Sequence, residues 1–247
     1  MPIDVPTEVA ACVKQLNGVV LDEVLKNPTF ANADYWFPEA KVVGELKCLT
    51  EDLSTNSTFT ENLSKLYASW VKRGLVPPLK AERKKINLAN LPARCAREFI
   101  DPVKKRLEAS SIKKANRQIR ETKKHLDAPT AKGLLLLVND GNYMLPPNMM
   151  AHLLGRILKG QHSSISTVIY FSANMNVTVP GVSMPSQFWI DAIPPDREPV
   201  ALEFRRALRT VWMSNYSKLV PGLLYEIEGT AESRSIDSIQ FTKGDAA

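Results

Sequence analysis

No stretch of this chain approaches the roughly 18 consecutive apolar residues that cross a bilayer, so none is read as a membrane span. Cysteine is scarce. Cys12, Cys48 and Cys95 are odd in number and widely spaced, forming neither a CxxC zinc pattern nor a disulfide framework. A reducing cytoplasm and three buried or idle thiols are the expectation. The three histidines, His125, His152 and His162, stand apart, and none forms the i, i+4 pair of a helical zinc site. Also missing are the G-x-S-x-G elbow, the Walker A loop and the G-x-G-x-x-G turn, which leaves nucleophilic-serine, P-loop and dinucleotide chemistry without their signatures. The opening Met-Pro-Ile-Asp-Val-Pro-Thr-Glu lacks the basic start and apolar core of a secretory signal. There is no internal repeat.

What remains is the composition of an ordinary globular domain, 247 residues with 44% hydrophobic and 23% charged content. The charge is unevenly placed. Residues 71–125 hold 17 Lys and Arg against 5 Asp and Glu, so that a chain of net charge +6 is basic in this segment and acidic elsewhere. Such segregation fits a surface for a polyanion, and equally a Lys-rich solvated helix.

Hydrophobic spacing outlines the elements. Residues 7–26 read as a helix with Thr7 as N-cap, residues 33–37 and 41–49 as strands, and residues 61–73 as a helix. A long helix is expected over 102–126, with Val103, Leu107, Ala115, Ile119 and Leu126 inward. At 100° per residue, Arg106, Lys113, Arg117, Arg120 and Lys124 form a cationic stripe on its opposite side. That stripe is the candidate nucleic-acid contact; a solvated helix face is the alternative. Gly133–Val138 is a continuous apolar run, expected as a strand buried on both faces. Asn139-Asp140-Gly141 is a turn, or the closure of a hairpin with 142–145. A helix over 147–159 and a strand over 166–172 follow. Weaker signals place a strand at 187–193, a helix at 198–213, and strands at 223–228 and 236–241. The fold class is α/β, a single domain with a mixed central sheet flanked by helices. Residues 50–100 are expected as a helical insertion and 176–247 as a C-terminal extension.

The chemistry centres on Asp34 and on Lys41-Val42-Val43-Gly44-Glu45-Leu46-Lys47. Alternation along a strand puts Val43, Glu45, Lys47 and Leu49 on one face. Glu-x-Lys occurs four times, starting at Glu39, Glu45, Glu82 and Glu121, but only Glu45 lies inside an apolar strand with an Asp on a neighbouring expected strand. A charged pair there is costly to bury without a partner, and a cation held by Glu45 and Asp34 supplies one. Phosphodiester hydrolysis needs this set: hard carboxylate oxygens for a divalent ion, and an ammonium beside the phosphate.

The arrangement resembles the catalytic signature of the PD-(D/E)XK nuclease superfamily, the restriction-endonuclease-like proteins. The resemblance spans roughly residues 7–175 and implies a restriction-endonuclease-like core: a helix, three strands with the signature on the second and third, then a helix and a strand. Two strands are identified around the signature here. One departure is visible, since Asn32-Ala33 precedes Asp34 where the family name has Pro, a residue often absent. The resemblance implies a Mg2+-dependent endonuclease, with Mn2+ as substitute, acting on nucleic acid and on DNA in preference to RNA, in restriction, phage defence or repair. Asp34 and Glu45 would be metal ligands, the Leu46 carbonyl a further ligand, and Lys47 the catalytic lysine. Some members carry a Gln on the helix after the signature that contacts the active site. Gln118 fits that place, or makes a structural hydrogen bond to backbone. Some use a helix carboxylate as another ligand; Glu23 is the candidate, Asp22 is equally available, and a solvated acid is the plainer reading. A homodimer follows by analogy with nucleases that cut both strands. Two readings outside enzymology stand beside this one: a metal-free nucleic-acid-binding module, and a protein-interaction factor using the Trp70 helix and the C-terminal region.

Overall fold

A computed structural model of the protein describes residues 2–26, 28–79, 90–178, 186–220 and 239–242. The strand expected over 223–228 lies outside them. In chain order the elements are α1 (Val5–Gln15), β1 (Val19–Val20), α2 (Leu21–Val24), β2 (Tyr35–Phe37), β3 (Val42–Leu49), α3 (Ser57–Lys72) and α4 (Ala93–Leu107). A π-helical turn (Glu108–Ile112) leads into α5 (Lys113–His125), followed by β4 (Lys132–Asn139), α6 (Pro147–Ile157), β5 (Thr167–Ser172) and β6 (Asn176–Thr178). β7 (Trp189–Ala192), α7 (Leu202–Leu219) and β8 (Gln240–Thr242) complete them. No helix among the described residues is long and apolar enough to cross a membrane.

Six strands form one mixed sheet in the order β1-β2-β3-β4-β5-β7. β1, β2 and β3 are an antiparallel meander, β3, β4 and β5 run parallel, and β7 is antiparallel to β5. The sheet is covered on both faces. Leu135, Leu137, Val168 and Tyr170 meet a core built with Phe99, Val103, Ile112, Ile119 and Met150 from α4 through α6. Leu134, Leu136, Val138, Ile169 and Phe171 point the other way, into a core with Val9 and Val13 of α1 and Trp212 of α7. The two-residue period of a strand divides the apolar run between these layers, each buried Leu contributing about 2 kcal/mol. β4 is thus buried on both faces as the run predicts. Residues 142–145 do not pair back in a hairpin, because both edges of β4 are already taken by parallel neighbours.

Several expected boundaries move. The helix expected over 7–26 ends at Gln15. Asn17 adopts a left-handed conformation, and a Cβ on Gly18 would sit 2.7 Å from Phe37 and Val13, so the chain turns where only this pair fits. Val19 and Val20 then supply the third strand of the meander, and Asp4 rather than Thr7 is the N-cap residue of α1. The helix expected over 61–73 starts earlier, at Ser57, because Asn56 caps α3, its Oδ1 accepting from the Phe59 N–H at 2.8 Å. The long helix expected from residue 102 begins at Ala93 and passes through Pro102. Phe99 and Val103, buried on either side of that proline, offset its missing hydrogen bond. Beyond residue 176, β7 joins the main sheet and α7 covers its second face.

Gly133 opens β4 where the chain passes closest to itself: an added Cβ would lie 1.9 Å from the Ser164 carbonyl oxygen. Gly133→Ala is expected to destabilise the fold by about 3 kcal/mol, read as a lowered urea midpoint.

Candidate active site

The second strand of the meander is short. β2 pairs with β3 only through Tyr35–Gly44, Trp36–Val43 and Phe37–Val42. Beyond Gly44 the β2-side edge of β3 meets the residues that precede β2. The Leu46 N–H points to that edge and donates to Asp34 Oδ2 at 2.7 Å. A carboxylate thus takes the place of a strand partner. Because N–H and C=O of one strand residue project to the same side, the Leu46 carbonyl leaves β3 on the edge that holds Asp34.

The bend carrying Asp34 is pinned from three directions. The Asp34 carbonyl accepts from the Leu21 N–H at 2.8 Å, anchoring it to the start of α2. From α5, Thr122 Oγ1 accepts from the Ala33 N–H at 2.7 Å, and Gln118 Nε2 donates to the Asn32 carbonyl at 2.9 Å. The Asn32 side chain donates to Asp22 Oδ1 at 2.7 Å. Gln118 therefore takes the backbone-bonding alternative: it holds the chain two residues before Asp34.

Glu45 lies on the face of β3 that looks toward α5 and is 0% exposed. Its Oε1 accepts from the Lys47 ammonium, two residues along on the same face. Its Oε2 is buried with no hydrogen-bond partner. An unpartnered buried carboxylate oxygen costs the full desolvation of that atom. Burial is accordingly the main cause that pushes Glu45 up to about 8, with the Asp34 charge acting in the same direction; Lys47 offsets part of this. Asp34 is also raised, by burial first and by Asp22 in addition. The Leu46 N–H and the Lys47 charge pull it back. Both carboxyls are thus raised, with the Lys47 ammonium, 24% exposed, beside Glu45.

Among the described residues no group of three or more His, Cys, Asp or Glu side chains is placed to hold a metal ion. The donor set on offer is smaller: Asp34, the orphaned Glu45 oxygen and the Leu46 carbonyl. It suits Mg2+, which keeps several of its waters and takes one or two carboxylates. Glu23, the expected helix ligand, is not part of it. Glu23 is 56% exposed and pairs with Lys14 at 2.7 Å, because α2 is a single short turn that aims it outward. Its neighbour Asp22 is the acid that reaches the Asp34 bend.

The cationic stripe does not hold together either. The π-turn changes the phase of the helix between Leu107 and Lys113, so Arg106 parts from the others. Arg106 lines a cleft of about 290 Å3 with Lys47, Thr50, Glu51, Ser110, Ser111 and Asn142. Lys113, Arg117 and Arg120 line a wider depression of about 640 Å3 with Asn116, Gln161 and His162. Lys124 continues this surface beside Arg120, Lys123 and Ser164. Its wall is fixed by Asn116 Oδ1, which accepts from the Ser164 N–H at 2.9 Å, and by Lys123, which donates to the Ser164 carbonyl at 3.1 Å. Lys123 is pushed down to about 8 by burial and by Lys132. The flank of α5 bearing Gln118 faces Asp34, and the opposite flank borders the cations. Trp70 is buried in the first core and donates from Nε1 to Glu98 at 2.8 Å, so the α3 tryptophan is unavailable as a partner contact.

Comparison of the chain with family models, with curated proteins and with solved structures gave no match.

The raised carboxyl fixes a pH dependence. The folded state holds its proton up to about pH 8, whereas the unfolded state releases it near 4.5. The folded state therefore binds more protons between those values, and stability falls as pH rises through that window. Urea unfolding at pH 5, 6, 7 and 8 is expected to show this decline, and Glu45→Gln to flatten it. Thr122→Val, which strands the buried Ala33 N–H, is expected to cost about 1–3 kcal/mol in the same assay.

Proposed function

We propose that this protein is a metal-dependent phosphodiesterase acting on nucleic acid, DNA in preference to RNA, built on a restriction-endonuclease-like core. The observation that carries the proposal is the fully buried Glu45 with an orphaned oxygen, next to Asp34 and Lys47. A purely structural carboxylate at this depth would have both oxygens bonded. The order of elements supports the reading as well: α1, then the meander with Asp34 entering its second strand and Glu45 on its third, then helix and parallel strand. That order follows the core of the PD-(D/E)XK nucleases, with Val19–Val20 as its first strand.

In this reading Asp34, Glu45 and the Leu46 carbonyl hold a divalent ion, Mg2+ or Mn2+. Such an ion, when bound, lowers the pKa of a coordinated water and neutralises charge developing on the phosphate. The chain's own residues do the rest. Glu45 gives up the proton that burial makes it keep, so metal affinity rises with pH. The Lys47 ammonium stands between the carboxylates and the cleft, where it orients the attacking water and stabilises negative charge on a phosphoryl oxygen. Gln118 and Thr122 act through the backbone by fixing the bend that delivers Asp34.

A second reading is favoured by one observation, the position of Lys113, Arg117, Arg120 and Lys124 on the far flank of α5. It is a nucleic-acid-binding module in which Glu45 and Lys47 form a structural pair.

The two readings separate on metal binding and cleavage. Mg2+ or Mn2+ is expected to raise the thermal midpoint, more at pH 8.5 than at pH 6.5, and to release about one proton per ion bound, read by calorimetry in buffers of different ionisation enthalpy. Plasmid and oligonucleotide substrates should be cut in Mg2+, not in EDTA, and Lys47→Ala should lower the rate by at least about a hundredfold while retaining nucleic-acid binding. A protein that neither binds the ions nor cuts any polynucleotide is the binding module instead.

A further inference from the structure

The cleft beyond Lys47 is rich in hydrogen-bond donors in a way that hydrolysis at Glu45 does not require. Arg106 stands on one wall. Ser110 and Ser111, their hydroxyls 3.3 Å apart, are brought to the same cleft by the π-turn, a helical irregularity that recurs at functional sites. On the opposite side is Asn142, 4% exposed. Its Oδ1 accepts from the Met144 N–H at 3.1 Å. A guanidinium, two hydroxyls, a buried amide and the Lys47 ammonium converge on about 290 Å3. The single carboxylate there, Glu51, is already engaged: one oxygen accepts from Arg106 at 2.5 Å, the other from Asn56 at 2.5 Å. Arg106 and Glu51 are both about half exposed, with side-chain exposures of 45% and 52%, so Arg106 can exchange this partner for another oxyanion at little cost.

We propose that this cleft is a phosphate subsite for a nucleic-acid strand, seating the phosphate next to the one that is cut. Arg106 moves from Glu51 to grip it, while Ser110, Ser111 and Asn142 donate to its remaining oxygens. The proposal rests on the hydrolytic reading for the position of the cut, but its test needs no hydrolysis. Guanidinium suits the role because it meets phosphate through two parallel N–H donors. Glu51 holds the arginine extended toward the cleft when no strand is bound, and so competes with the strand for it.

The test is the affinity of the full chain for a labelled 12-nucleotide strand, by fluorescence anisotropy in EDTA over a range of salt. Arg106→Ala is expected to weaken binding at least about tenfold, the loss of hydrogen bonding to a charged group, and to reduce the salt slope by about one. Glu51→Gln, which frees the guanidinium, is expected to tighten binding several-fold. Ser110→Ala should weaken it less than Arg106→Ala does. Equal affinity and salt slope in the wild type, Arg106→Ala and Glu51→Gln overturn the proposal. A loss of affinity in both variants, with a matching fall in thermal midpoint, also overturns it, since the pair is then structural. Inorganic phosphate and pyrophosphate form the control arm. If they raise the thermal midpoint through Arg106 while the strand does not bind, the cleft takes a free anion and the strand assignment is wrong. If Arg106→Ala weakens strand binding and no preparation cuts, the subsite stands and hydrolysis falls.

Discussion

A carboxyl group without water is the constraint around which the rest of the molecule is arranged. Glu45 sits on the central strand of a sheet covered on both sides, where the ionised form is expensive. Two answers to that expense are built in, the Lys47 ammonium on one oxygen and a raised proton affinity, while the neighbouring Asp34 charge adds to it. Each depends on the backbone being held in place. Asp34 sits beside Glu45 because Leu21, Gln118 and Thr122 fix the residues around it, so the covering helix α5 and the single turn of α2 together deliver one side chain. Removing any of these would alter what Glu45 meets without touching Glu45 itself.

The charges of the molecule are sorted by helix α5. One flank is polar but neutral and addresses the acidic bend; the other carries Arg120 and Lys123 toward residues 161–164. Arg197 reinforces the second side by donating to the carbonyls of Leu158, Gln161, His162 and Ile165, which keeps that loop closed against the helix. The Asp34 carboxylate and the cations Lys113, Arg117, Arg120 and Lys124 thus lie on different sides of one helix.

The central sheet was legible in the amino-acid sequence where burial is two-sided. Gly133–Val138 reads as a strand because nothing polar interrupts it, and residues 166–172 because they are rich in β-branched residues; both pair on two sides within the sheet. β1 was not legible: Val20 and Val24 continue the helical spacing of Val9, Val13 and Leu16, so periodicity ran through a turn. The signal that marks the break is Asn17-Gly18, a pair suited to a left-handed turn. Pro102 misled in the opposite sense, since tertiary burial carries the helix past it. At the site, the proximity of Asp34, Glu45 and Lys47 followed from strand alternation and order. The partner of Gln118 did not, because it is a backbone carbonyl 86 residues away. The parting of Arg106 from the other cations was equally hidden, for Glu108–Ile112 carries no residue that announces a π-turn, and a phase extrapolated at 100° per residue fails across it.

β3 has eight residues and β2 has three. The longer strand therefore overhangs its neighbour, and the overhang is where the backbone's own polar groups become available to something other than a sheet. Were the shorter strand two residues longer at its start, the ladder would reach Leu46, its amide and carbonyl would be consumed by pairing, and the acid before the strand would be carried off the edge. Unequal strand length is thus what keeps a socket open in an otherwise saturated sheet.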